Sequence, residues 1–186
     1  QLAAATVEGF DRLRRVGQLD LVALVAARGL SFPALEAVQG DMFMGYNEAL
    51  ETAAFPRLRV VAGDLTLGVL FGASGHNPSL RSLVGFAALE RVDGDFHWQG
   101  NEGIEEWGPF APQVWGDVWV RHSAFVALDL SSLNSRGVWV LSNLELESLG
   151  PIRDDGSLGP LYIEGNPKLA DLDGLAGTQH ISGQLV

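Results

Sequence analysis

The clearest pattern along the chain is a short alternation of apolar and polar residues that follows a glycine, as in Gly116-Asp117-Val118-Trp119-Val120. The equivalent marker positions are Gly17, Gly40, Gly63, Gly94, Gly116, Arg136, Gly159 and Gly183. The steps between them are 23, 23, 31, 22, 20, 23 and 24 residues. Repeats of this period are typical of solenoids, in which each coil buries its apolar face only by stacking on its neighbours.

Within each repeat, the positions two and four past the marker are apolar. Successive side chains of a strand point to opposite faces, so these positions predict one buried face and leave the positions one, three and five past the marker on the other. We therefore predict an all-β, parallel β-solenoid of about seven to eight coils, with short irregular or helical returns. The Ala- and Val-rich segment 24–28 is a candidate for a short helix.

The pattern also predicts the organisation of the chain as one solenoid domain over residues 1–186. Residues 1–16 form a partial N-terminal coil, because Gly9-Phe10-x-x-Leu13-x-x-Val16 matches Gly85-Phe86-x-x-Leu89-x-x-Val92. The one long step contains a Gly- and Ser-rich segment, 68–76, which we interpret as a loop insertion. The last repeat, Gly183-Gln184-Leu185-Val186, has no polar cap. We expect this edge to be covered by further sequence or by self-association with another copy.

Asparagine recurs after the strands, at Asn47, Asn77, Asn101, Asn143 and Asn166. Asn at a turn both donates and accepts hydrogen bonds with backbone that the turn leaves unpaired. The repetition therefore predicts a structural role between coils rather than a catalytic one.

The repeats combine into the template G-D-L-x-I-x-x-N-x-x-L-x-x-L-x-G-L-x-x-L-x-x-V, which resembles the receptor L domain, a leucine-rich-repeat-like β-helix. The best segments are Asn77–Leu89 with Val92-Asp93-Gly94-Asp95, and Asn166–Leu175 with Ile181-Ser182-Gly183. The resemblance covers most of residues 30–186. It implies a right-handed solenoid that recognises a ligand, as a standalone or microbial surface module, in an extracellular or cell-surface location.

The outward position three past the marker carries large aromatic side chains. Its residues along the chain are Asp20, Phe43, Thr66, His97, Trp119, Trp139 and Tyr162. Neighbouring strands lie about 4.8 Å apart, so the last residues of the row should be contiguous. One interpretation is a stabilising aromatic ladder that a flanking loop covers. The other is a recognition surface for a protein or a glycan, made of Phe43, His97, Trp119, Trp139 and Tyr162, with Arg121 as an oriented donor.

One position past the marker, four coils carry a carboxylate, at Asp41, Asp64, Asp95 and Asp117. We expect these side chains to cap the turns, since Asp favours such positions. Cation binding is the alternative for this column, although no ligand-dense calcium loop is present. An enzyme of the polysaccharide-active β-helix type would use Asp95, Asp117 and His97 as acid and base. We expect no enzyme, no cofactor and no metal, because the repeat itself already accounts for these positions.

Composition and charge argue against several classes of partner. The formal net charge is −11 and the isoelectric point is near 4.6, which argues against nucleic acid and anionic membrane surfaces as partners. No apolar run is long enough to span a bilayer, so we expect no membrane insertion. There is no cysteine, so disulfides and a thiol nucleophile are excluded. These features together predict a non-catalytic recognition or assembly module that binds a protein partner, with a glycan-binding module or a structural subunit of a larger assembly as alternatives.

Overall fold

The computed structural model describes residues 5–69, 76–104, 112–131, 134–152 and 158–186. Within these ranges, short strands make up nearly all of the regular structure. In chain order they are β1 (Ala5–Val7), β2 (Arg15–Val16), β3 (Leu19–Val22), β4 (Ala27–Ser31), β5 (Ala37–Val38), β6 (Met42–Gly45), β7 (Thr52–Ala54), β8 (Val60–Val61), β9 (Leu65–Leu67), β10 (Arg91–Val92), β11 (Phe96–Gln99), β12 (Gln113–Val114), β13 (Asp117–Arg121), β14 (Ala127–Leu130), β15 (Gly137–Leu141), β16 (Ser148–Ile152) and β17 (Leu161–Glu164).

Two 3₁₀ turns, Val84–Phe86 and Asp173–Leu175, are the helical elements of the described residues. No helix in this part of the chain is long and apolar enough to cross a membrane.

All of the strands pair in parallel with strands of neighbouring coils. The main sheet has the order β17-β15-β13-β11-β9-β6-β3, a second has the order β12-β10-β8-β5-β2, and two smaller ones are β1-β4-β7 and β14-β16. Each strand of the main sheet is thus one coil away from the next. The predicted fold class, an all-β parallel solenoid, is confirmed, with about six turns, slightly fewer than the seven to eight predicted.

The predicted strand register is also confirmed. The inward positions of the main sheet are Leu19 and Leu21, Met42 and Met44, Leu65 and Leu67, Phe96 and Trp98, Val118 and Val120, Val138 and Val140, and Leu161 and Ile163. All of these are buried except Ile163, which is partly buried against the same core. The alternation of the sequence is therefore the alternation of the two sheet faces.

The returns are built from short strands and tight turns, so the helix suggested for residues 24–28 is wrong. Residues 27 and 28 begin β4, which pairs with β1 on one side and β7 on the other. Gly29 fits closely between them, since a Cβ there would lie 3.2 Å from side-chain atoms of Thr6 and Thr52. Sheet pairing between coils has overridden the helical preference of alanine.

Phenylalanines fill the corner between the second sheet and the returns. Phe10, Phe32, Phe55 and Phe86 occupy one column, with ring centroids 4.6, 5.3 and 4.8 Å apart in that order. Phe10 is the N-terminal member of this column. The partial N-terminal coil over residues 1–16 stays a prediction.

Asparagine joins successive coils at the end of the main sheet, as predicted. Asn47, Asn77, Asn101 and Asn143 are fully buried. Each donates through Nδ2 to a strand carbonyl of the preceding coil, as Asn77 does to Met44 at 2.9 Å and Asn143 does to Val120 at 3.1 Å. Ser123 takes the corresponding place on the coil that lacks an Asn, and its Oγ donates to Asn143 Oδ1 at 2.6 Å. The structural role of the Asn column is confirmed.

The predicted loop insertion lies mostly outside the described residues, which stop at 69 and resume at 76. At its start, Gly68 has a φ of +110° and packs against the backbone of Gln99. At its end, His76 Nδ1 lies 3.1 Å from Glu102 Oε1. The two ends of the segment are therefore anchored on the next coil.

At the C-terminal edge, the chain begins one further coil. Leu185 pairs in parallel with Leu161, and Ile163 N donates to Val186 O at 2.8 Å. Leu185 is nevertheless 59% exposed, and it lines an apolar cleft together with Leu169 and Leu172. The expectation that this edge is covered stays a prediction.

Candidate recognition face

The outer surface of the main sheet carries the predicted aromatic row. The pairing places His97 beside Trp119, Trp119 beside Trp139, and Trp139 beside Tyr162. In β13 and β15 the tryptophans are half-buried, while the valines on either side of them are buried in the core. The sequence pattern therefore placed these side chains on the correct face.

The four rings form one continuous stack. The centroid separations are 6.0 Å from His97 to Trp119, 4.2 Å from Trp119 to Trp139, and 5.3 Å from Trp139 to Tyr162. The interplanar angles are only 19°, 15° and 10°. Each ring therefore stands upright on the sheet with its faces against the next coil, and the surface presents ring edges. Such pairs contribute about 0.5–1.5 kcal/mol each beyond the area they bury.

A glycine makes room for the widest part of the stack. Gly137 lies one position past the marker, where the preceding coil carries Asp117. A Cβ on Gly137 would lie 2.8 Å from the ring of Trp139. The absence of a side chain at this position allows the Trp139 ring to stand against the sheet.

Arg121 lies over the stack. Its Cζ atom is 4.3 Å from the centroid of the Trp119 ring, a cation–π contact. On the neighbouring strands it lies beside Gln99 and Leu141. Burial lowers the pKa of the guanidinium from its ordinary value. Within the described part of the chain, Arg121 Nε and Trp119 Nε1 are both buried without a hydrogen-bond partner.

His97 ends the stack on the N-terminal side. Its Nε2 lies 3.9 Å from Asp95 Oδ2, too far for a hydrogen bond. Burial lowers the pKa of His97, and the carboxylates of Asp95, Asp64 and Asp117 oppose this effect while Arg121 adds to it. The imidazole is therefore favoured in its neutral form, stacked on Trp119.

Phe43 is the one predicted site residue that the structure leaves apart from the stack. Thr66, which is buried, stands between Phe43 and His97 in the row. Phe43 instead contacts Tyr46, with ring centroids 6.4 Å apart and an interplanar angle of 57°. The structure thus brings together His97, Trp119, Arg121, Trp139 and Tyr162.

Two further residues, which the sequence analysis did not assign to the face, lie beside it. Gln184 Oε1 accepts a hydrogen bond of 2.9 Å from the Tyr162 hydroxyl, and Leu141 pairs with Arg121 across the strands. Leu141 was recognisable, because it lies five positions past its marker, as Arg121 does. Gln184 lies one position past the last marker. The repeat that begins there is too short to indicate which face of the sheet Gln184 occupies.

The carboxylate column caps the turns, as expected. Asp41 Oδ1 accepts the N–H of Asp64 at 2.9 Å, Asp64 that of Asp95 at 2.8 Å, and Asp95 that of Asp117 at 2.8 Å. The column ends at Asp117, whose Oδ1 accepts a bond of 3.4 Å from Arg136 Nε. Among the described residues, no group of three or more His, Asp or Glu side chains is placed to hold a metal ion.

Comparisons of this chain with protein-family models, with curated proteins and with solved structures found no match.

Proposed function

We propose that this chain is a non-catalytic recognition module that binds a protein partner through the stack of His97, Trp119, Trp139 and Tyr162 together with Arg121, here called the aromatic face. The observation that carries the proposal is the continuous stack of half-buried rings on the outer surface of the main sheet. Trp, Tyr and Arg are the residues most enriched at the energetic centres of protein interfaces. A rigid stack also loses little side-chain entropy on binding.

The stacking favours a protein partner over a glycan. A sugar ring packs on the open face of an aromatic side chain. Trp119 has His97 against one side and Trp139 against the other, and Trp139 lies between Trp119 and Tyr162. Their faces are therefore taken by their neighbours, and the ring edges that remain suit the mixed apolar and polar surface of a protein.

The carboxylates support a non-catalytic role. Three of the column members accept a backbone N–H of the next coil through Oδ1, and Asp117 is paired with Arg136. A general base needs a carboxylate oxygen that can approach the proton it removes. One oxygen of each of these three carboxylates instead satisfies turn backbone, which gives the column a structural role.

We extend the proposal to a receptor L-domain-like module at the cell surface or outside the cell, as the sequence resemblance implies. The parallel solenoid architecture is compatible with such a family. Selective surface labelling of intact source cells, followed by detection of this chain, tests the location. Labelling only after lysis would contradict it.

The binding proposal is tested by photo-crosslinking from the face itself. A benzoylphenylalanine in place of Leu141, on the aromatic face, is compared with the same residue in place of Val60, a half-buried strand position on the second sheet. A protein cross-linked only from position 141 is then purified, and its affinity is measured against the wild-type chain and against Trp139→Ala.

We expect Trp139→Ala to weaken binding by about 30-fold, the effect of a hot-spot loss of about 2 kcal/mol. Val60→Ala is the matched control and should bind as the wild type does. A folded Trp139→Ala variant with unchanged affinity would overturn the proposal.

A further inference from the structure

Arg121 is a half-buried cation with no counter-ion among the described residues. Several other arginines of the described residues pair with carboxylates, as Arg28 does with Glu51 at 2.6 Å and Arg59 with Glu90 at 2.9 Å. The described arginines other than Arg121 that have no ion pair are exposed to solvent. Arg121 makes no ion pair with any described residue, although the chain holds 23 acidic residues and only 12 Lys and Arg. A fully exposed guanidinium is satisfied by water, whereas Arg121 is partly withdrawn from water and its pKa is lowered by that burial.

The guanidinium is held in place. It lies over the Trp119 ring at 4.3 Å, and its strand neighbours are Gln99 and Leu141. Arg121 Nε and Trp119 Nε1 are both buried, and within the described part of the chain neither has an acceptor. Because solvent does not reach these two atoms, a ligand would meet the half-buried guanidinium through its remaining N–H groups, and it would supply the negative charge that the described residues do not.

We propose that Arg121 binds one carboxylate of the protein partner, an Asp or Glu side chain that lies next to an apolar residue, and that this contact sets the specificity of the aromatic face. The inference rests on the proposed function, since it names the chemistry that the same face recognises. A guanidinium matches a carboxylate with two parallel hydrogen bonds, and its contact with an aromatic ring fixes the direction of approach. Leu141, beside Arg121, provides the contact for the adjacent apolar residue.

The charge of the surroundings argues for a single carboxylate. The chain carries a formal net charge of −11, and the Asp column flanks the stack on the side opposite Arg121. A phosphate-rich or polyacidic ligand would place several negative charges near these carboxylates and be repelled. One acidic side chain can reach Arg121 without approaching the column.

The test uses nuclear magnetic resonance of the ¹⁵N-labelled 186-residue chain. The indole signal of Trp119 and the Nε–H signal of Arg121 are assigned from Trp119→Phe and Arg121→Lys. Three probes are titrated: N-acetyl-Leu-Glu-Leu-amide, its Gln analogue, and glucuronate as a glycan carboxylate. We expect saturable shifts of both signals with the Glu peptide, and at least about tenfold weaker binding of the Gln analogue because the charge-assisted bonds are lost.

Arg121→Gln should abolish the difference between the Glu and Gln peptides, while the matched variant Arg28→Gln, on another sheet, should keep it. The inference is overturned if the two peptides bind equally, if neither shifts these signals, or if glucuronate binds as tightly as the Glu peptide. The purified partner separates this inference from the proposed function. If Trp139→Ala weakens the affinity for the partner and Arg121→Gln does not, the carboxylate contact alone is refuted. If neither variant changes the affinity, the aromatic face is refuted as the binding surface.

Discussion

Replacing Asn143 with alanine tests how far the buried Asn column holds the coils together. Asn143 is fully buried. Its Nδ2 donates to Val120 O at 3.1 Å, and its Oδ1 accepts from Ser123 N at 3.0 Å and from Ser123 Oγ at 2.6 Å. Alanine at this position removes the partners of two backbone groups, one carbonyl and one N–H, in a place that water does not reach.

Each buried backbone group left without its partner costs about 1–3 kcal/mol, so the free energy of unfolding should fall by about 2–6 kcal/mol in Asn143→Ala. This is a large part of the roughly 5–15 kcal/mol that stabilises an ordinary domain. Urea unfolding followed by far-ultraviolet circular dichroism measures it, because a lower midpoint with an unchanged slope reports lost stability alone.

Ser123→Ala is the matched control. It removes one hydroxyl donor but leaves the Ser123 N–H bonded to Asn143, so it should cost about 0.5–1.5 kcal/mol. If Asn143→Ala proves no more destabilising than Ser123→Ala at equal slope, the column does not connect the coils energetically and the reasoning is refuted.

Further outcomes follow from the core, the stack and the chain end. Phe96→Ala should lower stability by about 3–5 kcal/mol in urea unfolding, and Trp139→Ala should lose about 1–3 kcal/mol from its two stacking contacts in addition to the area that its half-buried ring covers; a loss below about 1 kcal/mol in either variant would contradict the energetic role given to that side chain. Because burial lowers the pKa of His97 below 6.5, the unfolded chain binds the proton first, so stability should fall as the pH drops from 6.5 through the folded pKa. Urea midpoints for His97→Gln should lose that part of the pH dependence, and an unchanged profile would contradict it. Light scattering across a concentration series should show self-association that Leu185→Lys removes, whereas a wild-type chain that stays monomeric and stable would contradict the covered edge.

The main sheet could be predicted from the sequence because its period-2 alternation repeats at nearly fixed spacing. That alternation determines which residues face the core, and the spacing determines which residues are neighbours, so Trp119 and Trp139 could be placed side by side in advance. The returns could not be predicted as strands. Segments such as β2 and β5 are only two residues long, too short for an alternation to be seen.

The candidate site was predictable as a row of residues but not as a chemical surface. The sequence places Phe43 in line with His97, yet Thr66 between them is too small to continue the stack. Ring orientation depends on side-chain torsions and on details such as the space above Gly137. The absence of an ion pair between Arg121 and any described carboxylate depends on where those carboxylates lie, which a pattern along the chain does not specify.

The stability of the stack and its recognition chemistry have the same physical origin. Strands about 4.8 Å apart allow upright rings to stack across coils, as the 4.2 Å separation of Trp119 and Trp139 shows. Upright rings present their edges, and the edge of an aromatic ring carries the positive part of its quadrupole. Arg121 adds a full positive charge over the Trp119 ring. The aromatic face therefore presents ring edges and one cation beside the Asp column of an acidic protein, and a single carboxylate flanked by apolar atoms is the group that complements both.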